Sequence, residues 1–166
     1  MGNIDIVLLK PSEWKVYKAI RLEELQEDPQ AFGANCEKES AFSDEEWQER
    51  PGNKDAMIFV AKDGETPIGL VGALIKYNKN EKIAHVWGMY VNRIYRGKGL
   101  GKRLMERTFE ALKGSSQVKK VQLMVDYEPT PAQMLYRSLG FHPIKTTDYV
   151  LSDGKKHKLY IMEKEL

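Results

Sequence analysis

The sequence predicts an α/β (α+β) fold, with a central mixed, mostly antiparallel sheet and helices on both faces. Three observations carry this. Residues 82–91 are mostly apolar on both alternating faces and rich in β-branched and aromatic residues, as in a strand buried from both sides. They lead into a glycine-rich loop and then a helix, because Leu100, Leu104, Met105, Ala111 and Leu112 share one face at helical spacing while Lys102, Arg103, Glu106, Arg107 and Glu110 share the other. That helix is a crossover long enough to set the following strand, residues 118–126, parallel to 82–91. At 166 residues and 42% hydrophobic content the chain suits one domain, residues 1–166, around one core. No linker, internal repeat or low-complexity tract divides it.

Taken in order, residues 4–9 read as a short strand, and Pro11-Ser12 offers a cap for a helix over 14–27 with Trp14, Tyr17, Ile20 and Leu25 on one face. Asp28-Pro29 ends it. Residues 30–42 read as irregular, and Glu37 and Glu39 within them fit ordinary surface carboxylates better than an attractor for a cationic amine. Ser43 and Glu46 form a capping box for a brief helix that Pro51-Gly52 stops. Residues 56–61 and 67–77 make a hairpin about the turn 62–65, and a turn at 78–81 leads into 82–91. Gly114 is the expected end of the crossover helix. In 118–126 Val121, Leu123 and Val125 alternate with polar neighbours and Met124, so one face is the more buried. Thr130 caps a helix whose first residue is Pro131 and whose end is Gly140. Strands at 142–151 and 156–165 close the fold.

The loop after residue 91 carries the chemistry. Gly97, Gly99 and Gly101 at alternate positions remove Cβ atoms and permit positive φ, leaving backbone amides outward at a helix N-terminus, where an anion, above all a phosphate, is favoured. Arg96, Lys98 and Lys102 add positive charge around them, with Leu100 between. A P-loop is excluded, because only three residues separate Gly97 from Gly101 and Arg103 follows Lys102. A dinucleotide fingerprint is excluded too, its third glycine falling one place early.

The pattern Arg-x-x-Gly-x-Gly, with Arg96, Gly99 and Gly101 in the fixed places, resembles the GNAT superfamily of N-acetyltransferases. A second match, Ala132-x-x-Leu135-Tyr136-x-x-x-Gly140-Phe141, stands at the order and distance that family requires. The resemblance is good from about residue 56 to 141 and loose at the ends. It implies one GNAT domain that moves an acetyl group from acetyl-CoA to a primary amine of a small molecule or peptide, by direct attack in a ternary complex. It also implies that the loop amides hold the pyrophosphate and that Met89, Tyr90 and Val91 pair with the pantetheine arm through their backbone. A backbone amide in the same stretch would polarise the thioester carbonyl. Tyr136 stands where the family places the general acid that protonates the leaving thiolate, and a phenol holds its proton at neutral pH.

An alkylammonium with a pKa near 10.4 costs about 4.6 kcal/mol to deprotonate at pH 7, so a base or a water chain is needed. Many family members carry a glutamate on the strand before the loop; residues 82–91 hold none. His85 is the titratable side chain there with a suitable pKa, and strand alternation puts it on the face of Trp87, Met89 and Val91. Direct removal by water stays open beside it. Pro129 stands where the family often has an asparagine that contacts the cofactor arm. A CoA-binding or sensing module without transfer activity, and a transferase of a longer acyl group, are the competing readings.

Composition narrows the partners. The 26 basic and 24 acidic residues are interspersed, giving a net charge of +2, which does not imply nucleic acid. No apolar run reaches a membrane span, and the start Met1-Gly2-Asn3 lacks a secretion signal. The single cysteine, Cys36, suits a reducing cytoplasm. His85, His142 and His157 lack metal-ligand spacing, so no metal is expected. Dimers are common in the family, which leaves a homodimer open.

Overall fold

The computed structural model describes residues 3–78, 80–115 and 117–166. Strands β1 (Ile4–Leu8), β2 (Ala56–Asp63), β3 (Thr66–Asn78) and β4 (Glu81–Val91) run as an antiparallel meander. β5 (Lys120–Asp126) lies parallel to β4, and the hairpin of β6 (His142–Val150) and β7 (Lys156–Glu165) completes a seven-stranded sheet in the order β1-β2-β3-β4-β5-β7-β6. The expected turn at 78–81 includes Lys79, which lies outside the described residues, as do Met1 and Gly2 of the N-terminus.

Helices cover both faces of the sheet. On one, α4 (Leu100–Ser115) and α5 (Pro131–Ser138) bury Leu100, Leu104, Met105, Phe109, Leu112 and Tyr136 against Phe59, Ala61, Val71, Ala84, Val86 and Val121. On the other, Tyr17 and Ile20 of α1 (Trp14–Glu27) and Trp47 of α3 (Asp44–Gly52) pack on Ile58, Val60, Leu70 and Tyr90. The 3.6-residue period of α4 and the two-residue period of the strands dictate these contacts.

Local capping follows the sequence at most ends. The Thr130 hydroxyl accepts from the Gln133 amide at 3.1 Å, and the Ser43–Glu46 box closes with bonds of 3.2 and 2.7 Å. Ser12 does not cap α1: a short 3-10 turn over Pro11–Glu13 precedes it, and the Glu13 carboxylate reaches back to accept from the Lys10 amide at 2.9 Å. The stretch read as irregular contains α2 (Cys36–Ser40), started by Asn35, whose side chain accepts from the Lys38 amide at 3.0 Å. At five residues α2 has no room for an apolar period, so only its cap betrays it. Gly114 does not stop α4, which continues through Ser115.

A bulge in β4 corrects the predicted facing of one residue. β4 holds one residue more than β3 between the pairs Gly72↔Trp87 and Leu70↔Tyr90, and Gly88 takes φ +60° there. Before the bulge Ala84 and Val86 face α4; after it Met89 and Val91 do. His85 therefore shares its face with Trp87 and Tyr90, on the α1 side, and not with Met89 and Val91 as simple alternation predicts.

Leu104 has no exposed surface and lies at the centre of the α4 contact. Leu104→Ala should cost about 2–5 kcal/mol of stability, read as a lowered urea midpoint with an unchanged slope.

Candidate active site

β4 and β5 pair only at Ile83↔Lys120, Ala84↔Val121 and His85↔Gln122. Beyond that point β5 stays paired with β7 through Asp126, and β4 continues beside β3 to Val91, so the parallel strands fork. His85 stands at the apex. The main chain of residues 86–91 on the β5 side is the open arm of the fork, and the loop at its end leads directly into α4.

That loop has the geometry an anion needs. Gly97 and Gly99 take φ +74° and +77°, with no atom within 4 Å of where a Cβ would stand, so the turn opens to solvent. The Gly99 carbonyl accepts the first bond of α4, from the Arg103 amide at 3.1 Å, which leaves the first-turn amides at the positive end of the helix without intrahelical partners. The third glycine has a different task. A Cβ on Gly101 would meet Met89 Cε at 2.9 Å and Leu135 Cδ2 at 3.1 Å, so this glycine lets α4 approach β4 and α5.

The flanking cations divide in the same way. Arg96 donates from Nε to the Val91 carbonyl at 2.7 Å and from Nη2 to Asp28 Oδ2 at 2.5 Å, which straps the loop to the end of α1. Lys98 Nζ donates to the Ile94 carbonyl at 2.9 Å, and Lys102 lies 3.8 Å from Glu106 on an exposed helix turn. Lys102 is thus the more available charge, while Arg96 shapes the loop. Tyr90 points away from it, its hydroxyl 2.8 and 2.7 Å from the carboxylates of Glu23 and Glu27. Burial, followed by those carboxylates, pushes its pKa up.

Tyr136 is buried on the α4 side, edge-on to Phe141 with ring centroids 5.9 Å apart. Burial raises its pKa, so the phenol keeps its proton at any physiological pH. His85 is lowered by burial and then by Lys76. The turn Leu151–Ser152 of the last hairpin closes over the α1 side, where the Ser152 amide donates to the Phe32 carbonyl at 2.9 Å and its hydroxyl donates to the Pro29 carbonyl.

Beneath the fork, on the α1 side, lies a cluster that the sequence reading missed. Arg21 bonds Glu39 through two nitrogens at 3.1 Å each, and Arg50 bonds the same carboxylate at 3.0 Å and the Tyr17 hydroxyl at 3.3 Å. Arg21 also bonds Glu24 Oε1 and stands 5.5 Å from the Trp87 ring. Glu39 is 4% exposed, so it is no surface carboxylate. Burial alone would raise its pKa, and the hydrogen bonds and charges of Arg21 and Arg50 outweigh that and hold it low. For Glu24, fully buried, burial wins over Arg21 and the pKa is pushed up to about 8. Positions 17, 21 and 24 share one helix stripe, so charged residues on an apolar face were the available signal.

Among the described residues no group of three His, Cys, Asp or Glu could hold a metal ion, and no helix is long and apolar enough to cross a membrane.

A seven-stranded, mostly antiparallel sheet forked at a parallel pair, with a phosphate-type loop at the fork's mouth, defines a class of protein that can seat an extended, phosphate-bearing ligand. The sequence profile of the Acetyltransferase (GNAT) family matches residues 19–141, and the chain belongs to that family. It is an acetyl-CoA-dependent acetyltransferase. It is 27% identical over 164 residues to the L-amino acid N-acetyltransferase AaaT of Escherichia coli, covering 94% of this chain and 96% of that one. To the N-alpha-acetyltransferase of Sulfurisphaera tokodaii it is 30% identical over 110 residues, 61% of this chain and 65% of that one. Its fold matches a GNAT acetyltransferase from Streptococcus pneumoniae with a TM-score of 0.81 at 20% identity, covering 99% and 100% of the two chains. It also matches NAA60 of Arabidopsis thaliana, solved with acetyl-CoA, with a TM-score of 0.76 at 19% identity, covering 99% of each. The open Gly97 and Gly99 turns and the forked strand fit that co-substrate.

Two outcomes follow from this geometry. Gly99→Glu places a side chain at positive φ and a negative charge at the anion site, and should weaken acetyl-CoA binding more than tenfold by calorimetry while the fold persists. Glu24 binds its proton more tightly folded, with a pKa of about 8, than unfolded, at 4.5, so its stabilising contribution is present at low pH and lost as pH rises through about 8. Urea midpoints should fall through this group between about pH 5 and about pH 8, and Glu24→Gln should remove that component.

Proposed function

We propose that this chain, as a single GNAT domain over residues 1–166, transfers acetyl from acetyl-CoA to the α-amino group of an amino acid or peptide, by direct attack in a ternary complex. The observation that carries this reading is the fork after His85 and Gln122 with the open Gly97–Gly99 turn at its mouth. The two relatives named above support the acceptor class, one by its L-amino acid and the other by its N-alpha designation. Chemistry supports it as well. An α-amine with a pKa of about 7.7–8.0 costs only about 1 kcal/mol to deprotonate at pH 7, against about 4.6 kcal/mol for a lysine side chain. A strand without a glutamate is better suited to the easier acceptor.

Acetyl-CoA, when bound, supplies the thioester and its leaving thiolate. The amides of Gly97 to Lys102 bind the pyrophosphate, helped by the charge of Lys102, with Lys98 and Arg96 supporting the loop and Leu100 anchoring it in the core. The main chain of Met89 to Val91 orients the pantetheine arm along the fork. An amide beside the Gly88 bulge holds the thioester oxygen, where preorganised donors act best on developing negative charge. Tyr136 holds a proton on its phenol oxygen and passes it to the departing sulfur; its burial supports this, since a raised pKa keeps that proton in place until a thiolate forms.

Release of free thiol from acetyl-CoA in the presence of amino acids, short peptides and lysine-type amines tests the reading. Transfer to α-amines is expected, and transfer to side-chain amines alone would overturn it. Tyr136→Phe should lower kcat about 100-fold while the calorimetric Kd for acetyl-CoA stays within about twofold.

A further inference from the structure

Glu24 is out of place as a purely structural residue. It projects from the buried face of α1, has no exposed surface, and uses one carboxylate oxygen, Oε1, to accept from Arg21. Its other oxygen, Oε2, is buried and has no hydrogen-bond partner among the described residues. A buried carboxylate oxygen left unsatisfied is costly, and such groups concentrate where chemistry needs them. The structural work of joining α1, α2 and α3 is done by Glu39, which takes bonds from both Arg21 and Arg50. Glu24 adds a second carboxylate that this clamp does not require.

Its position gives the spare oxygen a use. A Cβ on Gly88 would lie 3.4 Å from Oε1, 3.7 Å from Oε2 and 3.3 Å from Arg21 Nη1, so the carboxylate abuts the main chain at the bulge. Gly88 is the residue at which β4 changes face, on the arm that has left β5. A carboxylate against this bulge, on the α1 side, stands across the strand from Tyr136, which packs on the α4 side. The two candidate proton carriers thus flank the free arm of the fork from opposite faces.

We propose that Glu24 is the proton acceptor for the amine, the role for which the strand of the fork offers no glutamate. The inference rests on the α-amine transferase reading. The ammonium of the acceptor gives one proton to Glu24 Oε2. The neutral nitrogen then forms the C–N bond to the acetyl carbon as the C–S bond breaks, the sulfur takes a proton from Tyr136, and the proton still surplus on the amide nitrogen restores the phenol. Glu24 afterwards releases its proton to solvent, so that one amide, one thiol and one proton are formed from ammonium and thioester.

The groups facing Glu24 set its basicity. Arg21 acts on it from α1 and Glu39 from α2, and β4 presents Gly88; Arg50 of α3 and Tyr17 stand one step further out, Arg50 bonding both Glu39 and the Tyr17 hydroxyl, and the Trp87 ring lies beside Arg21. Burial prevails over the nearby guanidinium, and the resulting pKa of about 8 matches that of an α-amine, so the proton transfer is close to thermoneutral.

The test compares the full-length chain with Glu24→Gln, Glu24→Asp and His85→Gln, using an α-amine acceptor shown to be acetylated by the wild type. Glu24→Gln is expected to lower kcat about 100-fold and to abolish the acidic limb of the kcat/KM pH profile, with acetyl-CoA affinity by calorimetry unchanged and Glu24→Asp partly restoring the rate. Carboxyl carbon NMR of protein labelled at glutamate gives a readout apart from turnover: one carboxyl titrating near pH 8, lost in Glu24→Gln and displaced in Glu24→Asp. Glu24→Gln with a rate within about threefold of wild type, an acidic limb that vanishes in His85→Gln instead, or no glutamate titrating above the ordinary range each overturns the inference. A wild type that binds acetyl-CoA but acetylates no α-amine overturns the functional reading itself, and this inference with it.

Discussion

β4 and β5 hydrogen-bond at three residue pairs and then separate, each held on its far side by an antiparallel neighbour. A parallel ladder that simply continued would bury these backbone groups and leave nothing for a ligand to pair with. Because the strands part, those NH and C=O groups of residues 86–91 that point to the β5 side, away from β3, must find water, a side chain or a ligand, as the Val91 carbonyl does in Arg96, since backbone polar groups do not go unpaired without cost. An extended amide-bearing chain such as pantetheine would answer that requirement as a missing strand does. The loop and α4 then follow from where β4 ends, with the positive end of the helix set at the mouth of the opening.

The bulge at Gly88 is the second half of the same arrangement. By inserting one residue it turns Met89 and Val91 toward α4 and Tyr90 toward α1, so both faces of the sheet are sealed while the arm of the fork twists away from β5. Only a glycine serves at this point. Its φ is +60°, and a side chain would press on the Arg21–Glu24 pair. The open arm of the fork is thereby in direct contact with the charged cluster of α1.

That cluster carries a physical cost. Burying the Arg21 guanidinium and two carboxyl groups, with Arg50 half-buried beside them, forfeits hydration that their attraction returns only when the geometry is good, and well-packed apolar residues would often do as well. Here Glu39 is fully used and holds α2 and α3 to α1, which explains why a five-residue helix persists between two loops. Glu24 is only half used. On the opposite side of the loop, Arg96 and Asp28 strap the end of α1 to the phosphate-type turn, and the Leu151–Ser152 turn is bonded to Pro29 and Phe32. The end of α1 is therefore tied both to the glycine-rich loop and to the last hairpin.

The sequence by itself determined the layered fold, the strand-loop-helix unit and the tyrosine helix. Their signals are local: a two-residue or 3.6-residue period, a cap such as Thr130 or Ser43, a run of alternate glycines. Spacing also sufficed to separate the loop from nucleotide-binding patterns. Tertiary structure alone decided how the glycines and cations share the work, because the crowding of Gly101 by Met89 and Leu135, and the capture of Arg96 by Asp28, depend on residues distant in the chain. It also decided the face of His85, since one bulge residue reverses the alternation after it, although Gly88 within a strand pattern hinted at such a break. The charges of Arg21, Glu24 and Glu39 could not be assigned to surface or interior from composition, because burial of an ion pair depends on partners that three separate helices bring together.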